Sequence, residues 1–129
     1  MTSSGTVRHG TPAILLVEDD AALADLIKGH LDSQGFEVIH VPDSMSALAL
    51  LEAGRKIDVL LTDIVMPKGT PHGVSLALMA QRIARGLEIV FITGHPDLLE
   101  EVGELPGTAL VKPFDLAELT RTIRQRLGE

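Results

Sequence analysis

A chain of 129 residues with 45% hydrophobic content is the size of one domain and can bury a core without cross-links. Its 11 basic and 18 acidic residues give a net charge of −7, which repels nucleic-acid phosphates, and its three aromatics, Phe36, Phe91 and Phe114, form no platform for stacking bases. The lack of cysteine excludes disulfides, thiolate metal sites and cysteine nucleophiles, and no apolar run nears the roughly 20 residues of a membrane span.

Met1 to Thr11 is small and polar, with no apolar signal-peptide core, so residues 1–11 read as a loose tail ahead of one domain over 12–129. A cytoplasmic location is the expectation that follows. Ala13–Val17 is a compact apolar run and predicts a strand. From Asp20 to Ser33, Leu23, Leu26, Ile27 and Leu31 recur at helical spacing, and Gly35 falls where a left-handed C-terminal cap belongs. Glu37–Val41 predicts the second strand. Asp43 or Ser44 can cap a helix carrying Ala47, Leu48 and Leu51. Ile57–Thr62 predicts the third strand, followed by a loop with Pro67, Gly69, Pro71 and Gly73 and a helix over Val74–Arg85. Glu88–Thr93 predicts the fourth strand, and Pro96 suits the first turn of a short helix reaching about Val102. Thr108–Val111 predicts the fifth. Asp115 and Glu118 resemble a capping box opening a last helix with Leu116, Leu119, Ile123 and Leu127 on one face.

Short apolar strands alternating with helices imply an α/β fold: a parallel sheet covered on both faces. In such sheets ligands bind beyond the carboxyl ends of the strands. Glu18, Asp19 and Asp20 follow the first strand, Asp63 the third, Thr93 and Gly94 the fourth, and Lys112 and Pro113 the fifth. Crowded carboxylates repel one another in a partly desolvated cleft, and a hard divalent cation such as Mg2+ removes that repulsion with two or three oxygen ligands. Lys112 can pair with Asp63 or with a phosphoryl oxygen, and Thr93 can donate to another such oxygen. A metal, an ammonium and a hydroxyl around a carboxylate suit phosphoryl transfer, and carboxylates do act as nucleophiles that form acyl phosphates. Each piece alone has a plainer explanation. Asp20 fits a helix N-cap better than a ligand, Glu18 and Asp19 could form a solvated acidic turn, and Lys112 could be a surface lysine. The five histidines lack metal-ligand spacing and read as structural or solvated. The order of all four strand-end features is what carries the specificity.

With these residues in place, the sequence resembles the receiver domain of bacterial two-component response regulators. The matching pieces are ILLVEDD (Ile14–Asp20), LLTDIVMP (Leu60–Pro67), ITG (Ile92–Gly94) and VKPF (Val111–Phe114), which together span the chain from about Ala13 to Leu127. The resemblance implies a flavodoxin-like sheet of order 2-1-3-4-5 flanked by five helices. It implies Asp63 as phosphoacceptor, and Glu18, Asp19, Asp63 and the Val65 backbone carbonyl around Mg2+, with Asp19 a more direct ligand than Glu18. It implies Thr93 as the switch hydroxyl, Lys112 as the phosphoryl-binding lysine, and a cis Lys112–Pro113 peptide. The implied partner is a sensor histidine kinase or a histidine phosphotransfer protein. No membrane or direct nucleic-acid contact is implied, and a homodimer is admitted. The chemistry stays on the chain's own carboxylate, so no outside substrate is turned over.

The sequence departs from the family pattern in three places. Ala109 stands where the family carries a switch aromatic. The loop Lys68–Gly73 is about two residues longer than the common form. Val65 and His95 flank the site where the family tunes attack by water, so phosphate lifetime is expected to depend on them. Other functions fit less well. A phosphatase of the haloacid dehalogenase type needs a second aspartate where Val65 stands. A flavin-binding first loop would not carry Glu18, Asp19 and Asp20, which repel phosphate. A receiver used only for binding would not need Asp63, Asp19, Thr93 and Lys112 together.

Overall fold

The computed structural model describes residues 10–65, 72–97, 99 and 104–129. In chain order the elements are β1 (Ala13–Val17), α1 (Ala21–Ser33), β2 (Glu37–Val41), α2 (Ser44–Glu52), β3 (Val59–Asp63), α3 (Gly73–Ile83), β4 (Glu88–Thr93), β5 (Thr108–Val111) and α4 (Leu116–Arg126). The five strands form one parallel sheet of order β2-β1-β3-β4-β5, as expected. Four of the five expected helices fall among the described residues. The short helix expected from Pro96 to Val102 lies mostly outside them, as do Met1 to His9 of the expected tail and most of the Lys68–Gly73 loop.

Strand alternation splits the core into two layers. Leu15, Val17, Leu60, Ile64, Ile89 and Phe91 point to the face that α2 and α3 cover with Ala47, Leu51, Leu76, Ala77 and Ala80. Ile14, Leu16, Val59, Leu61, Val90 and Ile92 point to the opposite face, covered by Ala24, Ile27 and Leu31 of α1 and by Leu119 and Ile123 of α4. Every residue of β1 is buried, which explains why that strand reads as a continuous apolar run rather than an alternating one. Each fully buried leucine or isoleucine contributes about 1.5–3 kcal/mol, so these layers dominate the stability of the sheet.

The helix ends follow the chemistry of their caps. Asp20, Asp43 and Asp115 each accept a backbone N–H from the first turn of α1, α2 and α4. Asp20 is therefore a cap, as its position suggests. Gly35 takes a φ of 93°, the left-handed conformation that closes α1. Two boundaries differ from expectation. Strand β3 runs Val59–Asp63 rather than Ile57–Thr62, because the Asp58 side chain turns across to accept the Ala13 N–H at 2.8 Å. Helix α3 spans Gly73–Ile83 rather than Val74–Arg85. It starts one residue early because His72 caps it, Nδ1 accepting the Val74 N–H at 3.3 Å.

These crossovers place the carboxyl ends of β1, β3, β4 and β5 along one edge. Registers of Val17 with Thr62, Asp63 with Ile92 and Thr93 with Val111 bring the residues at those strand ends level.

Candidate functional site

Asp63 closes β3, with its side chain 16% exposed. Its Oδ1 lies 3.4 Å from Lys112 Nζ. Among the described residues, that buried oxygen accepts no hydrogen bond. Burial pushes the Asp63 carboxyl up, and the Lys112 ammonium opposes the shift. Lys112 follows β5 directly and is fixed by its backbone, whose N–H donates to the Thr93 carbonyl at 2.8 Å. The Lys112–Pro113 peptide is cis, as expected.

Glu18, at the end of β1, is 4% exposed and so is no solvated turn residue, whereas Asp19 beside it is exposed. Carboxylate oxygens of Glu18, Asp19 and Asp63 all lie within 4.8 Å of one another. Burial above all, with the Asp63 charge adding, raises the Glu18 pKa to about 7 from an ordinary 4.5; the Asp20 N–H, at 3.1 Å from Oε2, opposes it. Three carboxyl groups thus share one ammonium. An oxygen-only donor set at this spacing, with an unbonded buried oxygen in it, fits a small hard divalent cation. It does not fit a soft metal that calls for thiolate or imidazole.

Asp63, Val65, Ile92, Thr93, Gly94, His95 and Lys112 line a cavity of about 180 Å³. The buried Thr93 hydroxyl oxygen accepts the His95 N–H at 3.0 Å, leaving its own proton to donate. Val65 and His95 are both exposed at this cavity. The sequence-derived set Glu18, Asp19, Asp63, Thr93 and Lys112 is therefore brought to one sheet edge. Asp58 is not part of it. It precedes β3 and bonds to Ala13 at the opposite edge.

Two residues that shape the site were missed by sequence reasoning. Gly73 packs so tightly that an added Cβ would collide with the Asp63 carbonyl oxygen and stand 2.9 Å from the Ile64 Cα. Its N–H donates to the Ile64 carbonyl at 3.0 Å. The signal available was a lone glycine at a predicted helix start, which is compatible with any loop. His40 donates from Nε2 to the Glu18 carbonyl at 2.7 Å. The signal there was an imidazole near the end of a strand. Among the described residues the other histidines are structural or exposed: His30 bonds Thr120 at 2.9 Å, His72 caps α3 and His95 faces solvent, while His9 lies outside them.

Comparisons with known proteins agree with this geometry. A family model described as the response regulator receiver domain matches residues 14–124. The transcriptional regulatory protein CpxR of Escherichia coli is 39% identical over 114 residues, covering 86% of this chain and 47% of CpxR. The DNA-binding response regulator MtrA of Mycobacterium leprae is 32% identical over 117 residues, covering 88% of this chain and 50% of MtrA. The chain thus spans about half the length of these curated relatives. A response regulator receiver protein from Sinorhizobium medicae superposes with a TM-score of 0.83 at 33% identity, covering 92% of this chain and 95% of that one. The receiver domain of a sensor histidine kinase from Pseudomonas aeruginosa, with a magnesium ion coordinated in its active-site cleft, gives 0.79 at 28% identity, covering 93% and 100%.

Proposed function

The chain belongs to the response regulator receiver domains of two-component signalling, and on that premise we propose that Asp63 is its phosphoacceptor, served by Mg2+ at Glu18, Asp19 and Asp63. The observation that carries the reading is the Asp63 carboxylate itself. It is partly buried, its buried Oδ1 lacks a hydrogen-bond donor and lies 3.4 Å from an ammonium, and it lines a cavity of about 180 Å³.

In this reading a histidine kinase or phosphotransfer protein presents a phosphohistidine. An Asp63 oxygen attacks phosphorus; the O–P bond forms as the N–P bond breaks, and the departing imidazole keeps the electron pair and its proton. Bound at these carboxylates, Mg2+ would supply charge neutralisation for phosphoryl transfer. The Lys112 ammonium pairs with one phosphoryl oxygen and the Thr93 hydroxyl donates to another. Glu18, Asp19 and Asp63 would provide the side-chain ligands, and the Val65 carbonyl would complete the set. The acyl phosphate then biases a two-state equilibrium in which Thr93 gives up its contact with the His95 N–H. Ala109, in register with Phe91, packs against the core and offers no aromatic rotamer, so the output runs through backbone shifts, Thr93 or another face. The chain turns over no outside substrate. Among the described residues no helix is long and apolar enough to cross a membrane; a cytoplasmic location is part of this proposal.

The test is exposure to a small phosphodonor with Mg2+, read by intact mass. One added phosphoryl group is expected in the natural chain, none in Asp63→Asn and none when a chelator replaces Mg2+. Undiminished uptake by Asp63→Asn would move the acceptor elsewhere.

A further inference from the structure

His40 has no part in the chemistry proposed above, yet it touches the acidic turn. It sits in β2 opposite Leu16 of β1, one residue before the strand ends at Val41. Its ring nitrogen Nε2 lies 2.7 Å from the Glu18 carbonyl oxygen. A carbonyl oxygen only accepts, so Nε2 carries the proton. The next residue of the same strand takes the other side of Glu18, whose N–H donates to the Val41 carbonyl at 3.1 Å. β2 therefore grips Glu18 by both backbone groups.

The gripped carbonyl belongs to the peptide unit that joins Glu18 to Asp19. Fixing that oxygen fixes the plane of the peptide, and with it the relative direction of the two carboxylates. The turn needs such a hold, because Glu18, Asp19 and Asp63 repel one another within 4.8 Å and Asp19 is exposed to solvent. A site held in place before a cation arrives binds it more tightly than one that must be gathered. We infer that His40 is a positioning residue for the cation site, holding the Glu18–Asp19 peptide so that both carboxylates face Asp63. The inference rests on the Mg2+ reading of these three residues.

The test uses the full chain and three variants. A glutamine amide nitrogen falls near the place of Nε2 and keeps the N–H donor; an asparagine amide falls near Nδ1 and does not reach; leucine has no donor. Calorimetric titration with Mg2+ is expected to show about tenfold weaker binding for His40→Leu and His40→Asn, at the low end for outer-sphere partners of metal ligands, and near-natural binding for His40→Gln. Uptake from a small phosphodonor should need correspondingly more Mg2+ in the weak variants but reach the same plateau rate. If His40→Leu fails to fold, the Asn and Gln variants decide. Equal Mg2+ affinity in His40→Asn and the natural chain would overturn the inference while leaving the Mg2+ reading intact. A plateau lowered at every Mg2+ concentration would overturn it too, since His40 would then support only the fold. A natural chain that binds no Mg2+ would bring down both.

Discussion

The two edges of the sheet hold the same residue types in opposite states. At the amino edge three described carboxylates each have a partner. Asp58 accepts the Ala13 N–H at 2.8 Å, Glu37 pairs with Arg55 at 2.9 Å and Glu88 with Arg126 at 2.7 Å. At the carboxyl edge Glu18, Asp19 and Asp63 crowd together around one ammonium, 3.4 Å from Asp63. Asp58 and Asp63 make the contrast within one segment, one just before β3 and the other its last residue. One edge is neutralised and holds the fold. The other is left short of positive charge, which costs stability and creates a demand that a cation and a phosphoryl group can meet.

Exchanging the two aspartates tests that contrast most sharply. Asp63→Asn is expected to abolish phosphoryl uptake while keeping or raising the unfolding midpoint, because a buried charge leaves a crowd of like charges. Asp58→Ala is expected to keep uptake and to lower stability by about 1–3 kcal/mol, since it leaves the Ala13 N–H without its charged acceptor. Intact mass and urea denaturation read the two effects separately. Loss of uptake in the Asp58 variant with its fold intact would break the division between the edges.

A pair of glycines gives the next largest effect. At the carboxyl edge, a Cβ on Gly73 would strike the Asp63 carbonyl oxygen. At the amino edge, a Cβ on Gly107 would strike the Ile89 carbonyl oxygen and stand 2.7 Å from the Ile89 Cβ. Either alanine substitution is expected to destabilise by about 1–3 kcal/mol through overpacking. Only Gly73→Ala should also slow phosphoryl uptake in the molecules that remain folded, because the backbone it displaces carries the nucleophile.

The crowded edge also sets a pH dependence. Without Mg2+ the Glu18 pKa stands at about 7 against an ordinary 4.5, and Asp63 is displaced in the same direction. Between those two values the folded chain keeps a proton that the unfolded chain has released. Stability in chelator is therefore expected to fall as pH rises from 4.5 toward 7 and to level off above. Glu18→Gln should flatten that slope, and Mg2+ should restore most stability at the alkaline end, where its ligands are ionised. Urea midpoints across the window read both; a slope unchanged in Glu18→Gln would assign the strain to other groups.

The sheet and its site were legible because both depend on local pattern plus one topological rule. Continuous apolar runs marked the strands, Asp20, Asp43 and Asp115 marked the helix starts, and parallel strands bring their carboxyl ends to one edge. What stayed hidden depends on contacts between distant segments. The start of β3 depends on Asp58 reaching Ala13, and the approach of Gly73 to Asp63 depends on how α3 packs. The burial of Glu18 and the hold of His40 upon it depend on β2 lying against β1. The start of α3 was misplaced because histidine is not among the usual capping residues, and His72 does the capping.

Asp115 offers the smallest and most discriminating case. It stands near the reactive edge, three residues after Lys112, yet its Oδ1 accepts the Glu118 N–H at 2.7 Å as the N-cap of α4. If location alone made a carboxylate reactive, its loss should disturb phosphoryl transfer. If partnering decides, Asp115 belongs with Asp58 in kind. Asp115→Ala is then expected to cost about 1 kcal/mol, the usual value of such a cap, and to leave the extent of phosphoryl uptake unchanged. Asp115→Ser, which keeps a capping oxygen without the charge, should recover most of that stability. Uptake that falls in both variants would tie the charge of Asp115 to the site and redraw the boundary between the two kinds of acid.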